Sequence, residues 1–207
     1  LLVAALMCAI ALSALDATIV STALPTIVGN LGGLSLFSWV FSIYLLASTV
    51  TVPLYGKLAD LYGRKPVLLF GCGVFLLGSV CCGASQNMEQ LILSRALQGL
   101  GAGAVQPVTM TIIGDIFTME ERARIQGLFS SVWGFVSLLG PAIGGVIVDG
   151  ASWRVAFFLN IPLGLASMLL ISRYFQERAE KRQSHVIDYW GTVLLSGAVG
   201  ALLLSVL

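Results

Sequence analysis

Charge is what this chain has least of. Only 10% of its 207 residues are Asp, Glu, Lys or Arg, against roughly a quarter in a soluble domain. An excess of one sign is missing as well: the formal net charge is +1. No basic stripe is present, so nothing points to nucleic acid. There is one histidine, His185, and it lies in a charged stretch. A histidine-based catalytic centre is therefore not expected, and no nucleophile–base set replaces it. Four cysteines, Cys8, Cys72, Cys81 and Cys82, all fall in apolar runs without metal-ligand spacing. They read as small apolar residues. No enzyme activity, metal or organic cofactor is expected.

What is present is apolar: 57% of the residues are hydrophobic. They gather into seven stretches of about 20 residues, the length of a membrane-crossing helix. These are 1–23, 39–58, 66–84, 89–113, 125–148, 154–172 and 190–207. The expected fold is an all-α membrane protein. A six-helix transmembrane bundle occupies 1–172, a linker 173–189, and the start of a seventh span 190–207. The chain begins and ends inside apolar stretches, as a piece of a longer protein would. The first stretch is too long for a cleaved signal peptide and lacks its basic flank.

Basic residues give the orientation. Lys57, Arg64, Lys65, Arg122, Arg124, Arg173, Arg178, Lys181 and Arg182 lie in or beside alternate connections, while the opposite ones hold Arg154. The positive-inside rule puts the first set, and the N-terminus, in the cytoplasm. Trp39, Trp153 and Trp190 sit near span ends, where interface anchors belong.

Four charges crowd the connection between the second and third spans, Gly56-Lys57-Leu58-Ala59-Asp60-Leu61-Tyr62-Gly63-Arg64-Lys65. A loop of a few residues there holds two helix ends at a fixed distance. Gly56 and Gly63 permit turning or close backbone approach. Asp60 and Arg64 can pair with each other or with neighbouring helices. The alternative is an ordinary basic cytoplasmic loop. Gly145-x-x-x-Asp149 before Arg154 echoes Gly56-x-x-x-Asp60 before Arg64, three spans later and on the other side. An inverted three-plus-three repeat would produce that echo.

Two charges lie inside spans. Asp16 is embedded in the first, at a cost of about 2.5–3.5 kcal/mol on insertion scales. It is expected to face a polar cavity or carry a proton, or else to sit near the outer interface. Burial favours its protonated form and a nearby cation its ionised form; a group between those influences is suited to exchanging a proton. Arg95, in the fourth span, is placed by counting at a similar depth, roughly 10 Å below the outer face. Gly99, Ala102, Gln106 and Thr109 continue its face as a small and polar stripe suited to a pathway. An arginine snorkelling outward is the alternative. In the fifth span Ser130, Gly134, Ser137, Pro141 and Gly144 share a face, and Gly140 with Gly144 forms a small-xxx-small pair. Such a face suits close helix packing, and Pro141 favours a bend.

Together these segments resemble the major facilitator superfamily. Gly56 to Lys65 resembles its signature loop between the second and third spans. Leu91-x-x-x-Arg95-x-x-Gln98-Gly99-x-Gly101 resembles its fourth-span motif. Gly134, Gly140-Pro141 and Gly144-Gly145 resemble its antiporter motif. Leu15-Asp16-Ala17-Thr18-Ile19-Val20-Ser21-Thr22-Ala23-Leu24-Pro25 is similar to the first span of drug–proton antiporters with fourteen spans. Trp153-Arg154 with Phe157, Asn160, Pro162 and Gly164 fits that branch, as do the short linker and Asp188-x-x-Gly191. Ser21 stands where the branch usually has Asn, and Leu61 where the loop often has Arg.

The resemblance implies proton-coupled efflux of drugs or other small lipophilic molecules by alternating access, with a proton as coupling ion. Asp16 and Arg95 would couple the proton. Gly56, Asp60, Gly63, Arg64, Lys65 and Asp115 would form a cytoplasmic gate. Thr18, Gln98, Gln106 and Thr109 are cavity-lining candidates. The implied partners are a small-molecule substrate, the lipid bilayer and the C-terminal half of the same transporter; the implied location is the plasma membrane, most simply a bacterial inner membrane. Two rival readings are an uptake symporter for a sugar or metabolite, and a receptor or assembly subunit on the same scaffold.

Overall fold

Peptide groups in hydrocarbon must satisfy their hydrogen bonds internally, so a chain this apolar is driven to helices. The computed structural model describes residues 1–177 and, beyond them, residues 191, 194, 197, 198, 200 and 201. Among these the elements are α1 (Leu2–Leu31), a 3-10 turn (Leu34–Leu36), α2 (Trp39–Tyr62), α3 (Arg64–Ala84), α4 (Met88–Ile116), α5 (Met119–Gly150), α6 (Arg154–Phe158) and α7 (Asn160–Tyr174). Most of the expected linker and seventh span, including Trp190, lies outside the described residues, as does the Asp149 side chain of the repeat echo.

Among the described residues five stretches are long and apolar enough to cross a membrane: Leu2–Leu31, Leu34–Tyr62, Arg64–Ala84, Met119–Val148 and Arg154–Tyr174. The last contains α6 and α7, broken at Leu159. Pro162 explains the break, because it has no N–H to return to the Phe158 carbonyl. α4 has the length but not the apolarity. It compensates by position, packing chiefly between α3 and α2 and burying Arg95, Gln98 and Thr109.

The helices overrun the apolar stretches. α1 continues past residue 23, through Pro25, and stops where Gly32 and Gly33 take φ of 70° and 75°. α5 starts at Met119, fixed by a capping box in which the Thr118 hydroxyl accepts from the Glu121 N–H and the Glu121 carboxylate accepts from the Thr118 N–H. The expected loop between α2 and α3 shrinks to one residue. Gly63 has φ 103° and ψ 154°, a region essentially confined to glycine.

Glycines bring α4 close to its neighbours. A Cβ at Gly99 would sit 2.5 Å from the Tyr44 carbonyl oxygen of α2, and one at Gly101 would sit 2.6 Å from the Gly71 carbonyl oxygen of α3. α5 rests chiefly on α1. The buried apolar residues form three clusters. One surrounds Leu68, Val108, Ile112 and Phe129, toward the Gly63 end. Another surrounds Leu24, Ile27, Leu91, Trp153 and Phe157, toward the opposite end. A smaller one joins Leu12, Tyr44, Phe75 and Ala102. Trp153 is thus a core residue and not an interface anchor: it is 2% exposed and packs edge-on to Phe157. Its neighbour Arg154 stacks on the indole and donates to the Ser85 carbonyl at the end of α3.

Candidate functional site

A buried charge is tolerable only when paired and hydrogen-bonded, and among the described residues the core meets that demand once. Asp16 lies half-way along α1 and is 1% exposed; Arg95, on α4, is fully buried. Arg95 Nη1 lies 2.6 Å from Asp16 Oδ2 and also donates to Gln98 Oε1 at 2.7 Å. Gln98 Nε2 donates to Asp16 Oδ1 at 2.7 Å, and Asn160 Nδ2 from α7 donates to the same oxygen at 3.0 Å. Arg95 Nε donates to the Val40 carbonyl of α2, and the guanidinium stacks 4.1 Å above the Tyr44 ring. On α3, Ser79 accepts from Asn160 Nδ2 and donates to the Phe157 carbonyl at the end of α6. The Cys82 thiol reaches Gln98 Oε1.

This arrangement corrects one expectation. Of the alternatives for Asp16, a polar cavity is not found among the described residues. Its carboxylate is enclosed by donors from three side chains, because α4 and α7 close over it. It also lies deeper in α1 than counting suggested, since α1 runs on to Leu31. The pair is electrically neutral overall. Both Nη2 protons of Arg95 lack a partner among the described residues, so the site retains unused donor capacity.

A second charged group occupies the Gly63 end. Arg64 Nη2 lies 3.5 Å from Asp60 Oδ1, and Arg64 Nε lies 2.8 Å from Asp115 Oδ2 at the end of α4. The latter is an ion pair by proximity; its N–H is not aligned as a hydrogen bond. The Arg64 backbone N–H donates to Glu177 Oε1 at 2.5 Å, and Lys65 Nζ donates to the Ser172 and Phe175 carbonyls at 2.7 Å. Lys65 thus caps the C-terminus of α7, where a cation also meets the helix dipole. Arg122 likewise reaches the Gly114 and Phe117 carbonyls at the end of α4.

Comparison with known proteins decides the family. The Major Facilitator Superfamily profile matches residues 6–207. The chain belongs to the major facilitator superfamily. Multidrug resistance protein 3 of Bacillus subtilis (strain 168) is 44% identical over 97% of this chain and 39% of that protein. Multidrug transporter protein MdtP of the same strain is 47% identical over 87% of this chain and 33% of that protein. The chain therefore spans about two fifths or less of the length of these curated relatives. A D-xylose-proton symporter structure superposes with a TM-score of 0.75 at 15% identity, covering 99% of this chain and 52% of the other. At that identity the likeness is one of fold. A multi-pass membrane protein built from half a major facilitator fold accounts for the helices described above.

The remaining motif residues divide by surroundings. Gly140 and Gly144 are buried where α5 crosses α1, with Thr18 and Thr22 occupying the space a Cβ would need. Gly134 and Gly145 face open space, and Ser130, Gly134, Ser137 and Pro141 form an exposed stripe. Gly56 also faces open space, so no close approach within the described residues depends on it. Of the cavity-lining candidates, Gln98 belongs to the buried network and Thr109 is buried without a hydroxyl partner among the described residues. Thr18 packs under α5 and returns its hydroxyl to the Ala14 carbonyl. Gln106 is exposed. Tyr44, Ser79 and Glu177 joined the two polar groups without any signal in the sequence. Asn160 was visible only through the family motif after Trp153.

Proposed function

We propose that this chain is the N-terminal half of a proton-coupled efflux transporter for drugs or other small lipophilic molecules, working by alternating access. The observation that carries the reading is the sealed Asp16–Arg95 pair. A carboxylate 1% exposed and enclosed by three donors at 2.6–3.0 Å is closed to any water that would bring it a proton. Taking one up requires the helices to part, so protonation and rearrangement are bound to one equilibrium. The names of the two Bacillus relatives, a multidrug resistance protein and a multidrug transporter, support drug efflux. The exposed Gln106, Ser130 and Ser137 give this half an uncharged polar face for a substrate.

In this reading the Gly63 end faces the cytoplasm, as its basic residues favour. The N-terminus is then cytoplasmic, in a plasma membrane, with a bacterial inner membrane the simplest case. Asp60, Arg64 and Asp115 latch that side, and Lys65 with Glu177 ties the end of α7 into the latch. Residues 1–172 form one bundle; the linker and seventh span lead toward a C-terminal half in a protein of fourteen spans.

The deciding experiment uses the full-length transporter in proteoliposomes with an imposed pH gradient and ethidium as substrate. Asp16→Asn keeps the shape and removes the titrating group. It is expected to abolish gradient-driven efflux while the protein still inserts. Wild-type efflux by this variant would remove Asp16 from the mechanism.

A further inference from the structure

We propose that Asn160 is a positioning residue that carries the protonation state of Asp16 to the break in the sixth span. The proposal rests on the proton-coupled reading above. Its basis is a one-way chain of hydrogen bonds. Asn160 Nδ2 donates both to Asp16 Oδ1 at 3.0 Å and to Ser79 Oγ at 2.9 Å. Ser79 spends its one proton on the Phe157 carbonyl at 2.8 Å. Both neighbours of the amide are therefore acceptors, which fixes which way it points. All three side chains are buried, Asn160 to 2% exposure.

A proton arriving from a water-borne hydronium converts the carboxylate to an acid and releases water. The acid now needs an acceptor for its O–H. Gln98 Oε1 is already taken by Arg95 Nη1, and Gln98 shares a helix with Arg95. Asn160 comes from a different helix and has no tie to Arg95. Arg95 Nη1 keeps Oδ2 as its acceptor, so with the proton on Oδ1 the Gln98 and Asn160 amides both point an N–H at an O–H, and Asn160 is the one that Arg95 does not hold. A half-turn of the amide presents its oxygen instead, to the acid and to Ser79 alike. Ser79 then turns its proton to that oxygen and leaves the Phe157 carbonyl. Phe157 lies two residues before Leu159, where α6 gives way to α7. One proton at Asp16 thus alters the bonding at the sixth-span break. The charged and titratable groups around the carboxylate are Arg95 from α4, Tyr44 from α2 and Cys82 from α3; α7 contributes the neutral Asn160.

The test compares full-length wild type, Asn160→Leu and Ser79→Ala in proteoliposomes. Ethidium efflux is followed over a range of pH under an imposed gradient, and ethidium counterflow is followed without one. In Asn160→Leu the ionised carboxylate loses a donor, so the pH profile of efflux should move upward by about one unit. Counterflow should stay within about twofold of wild type, since the exchange half-cycle requires no net proton movement. Ser79→Ala leaves Asn160 in place and should shift the profile the same way by less. Profiles superimposable on wild type in both variants would overturn the proposal and leave Asn160 as packing. If Asn160→Leu also lost counterflow, Ser79→Ala would decide alone, by a shift or its absence. A wild type without gradient-driven efflux would instead overturn proton coupling itself.

Discussion

The pairing of Asp16 with Arg95 predicts a large, non-additive stability effect. Arg95→Met keeps an unbranched stem in the space beneath Tyr44 and removes the cation. It strands a carboxylate that is 1% exposed, and losing one partner of a buried pair costs about 3–5 kcal/mol. Asp16→Asn strands the guanidinium instead, at a smaller cost, because the new amide still meets Gln98 and Asn160. The double variant Asp16→Asn/Arg95→Met buries no net charge at all. It should therefore be less destabilised than the two single changes combined, by about 2–3 kcal/mol. Arg95→Lys falls between. It keeps the charge but loses the Nε bond to the Val40 carbonyl and the flat contact with Tyr44, about 1–2 kcal/mol together. Reversible SDS unfolding of the full-length protein in mixed micelles measures all four. If the double variant equalled the sum of the singles within about 0.5 kcal/mol, the two groups would not be energetically linked, and the argument from a sealed pair would fail.

Two further outcomes follow from the helix contacts. Asp60 is 57% exposed and 3.5 Å from Arg64, so Asp60→Asn should move the proposed latch by less than about 1 kcal/mol. Arg64→Ala breaks the Asp115 contact too and should raise cysteine accessibility from the proposed cytoplasmic side further. Labelling equal to wild type in both would reduce the loop to a topology signal. Gly101→Ala places a methyl group 2.7 Å from Phe75 Cα, and overpacking of that kind should cost about 1–3 kcal/mol in the same unfolding assay; an unchanged midpoint would mean that α3 and α4 are not locked together there.

Apolar stretches told where helices lie but not where they end. The first span is expected to end near residue 23. The backbone continues to Leu31 regardless, since a helix terminus is set by glycines at positive φ and not by the last apolar side chain. The same error displaced Asp16 toward the surface. Arg95 was legible because a charge in an apolar span demands a partner; Gln98 entered only through the fourth-span motif, as a cavity-lining candidate, and lies instead in the buried network. Asn160 and Ser79 were not legible in this way, since one neutral polar residue in a span is unremarked until a neighbouring helix supplies its contact. Trp153 misled in the opposite sense: position near a span end suggested lipid, whereas contacts with Phe157 and Arg154 bury it. The span expected at 89–113 is present as α4, though it falls short of the hydropathy of the five stretches above for a related reason. A helix covered by α2 and α3 has little lipid to satisfy.

The ion pair lies between apolar clusters toward both ends of the bundle, one around Leu68 and Phe129 and the other around Leu24 and Trp153. In the proposed proton-coupled transporter these two apolar layers would be insulation placed in series with the Asp16 site. A protein at rest, with both layers closed, presents a proton with hydrocarbon on either side of Asp16. An idle copy would then leave the ion gradient undrained, and a mutation that wets either layer, far from any charge, would show itself first as a current leak in empty vesicles.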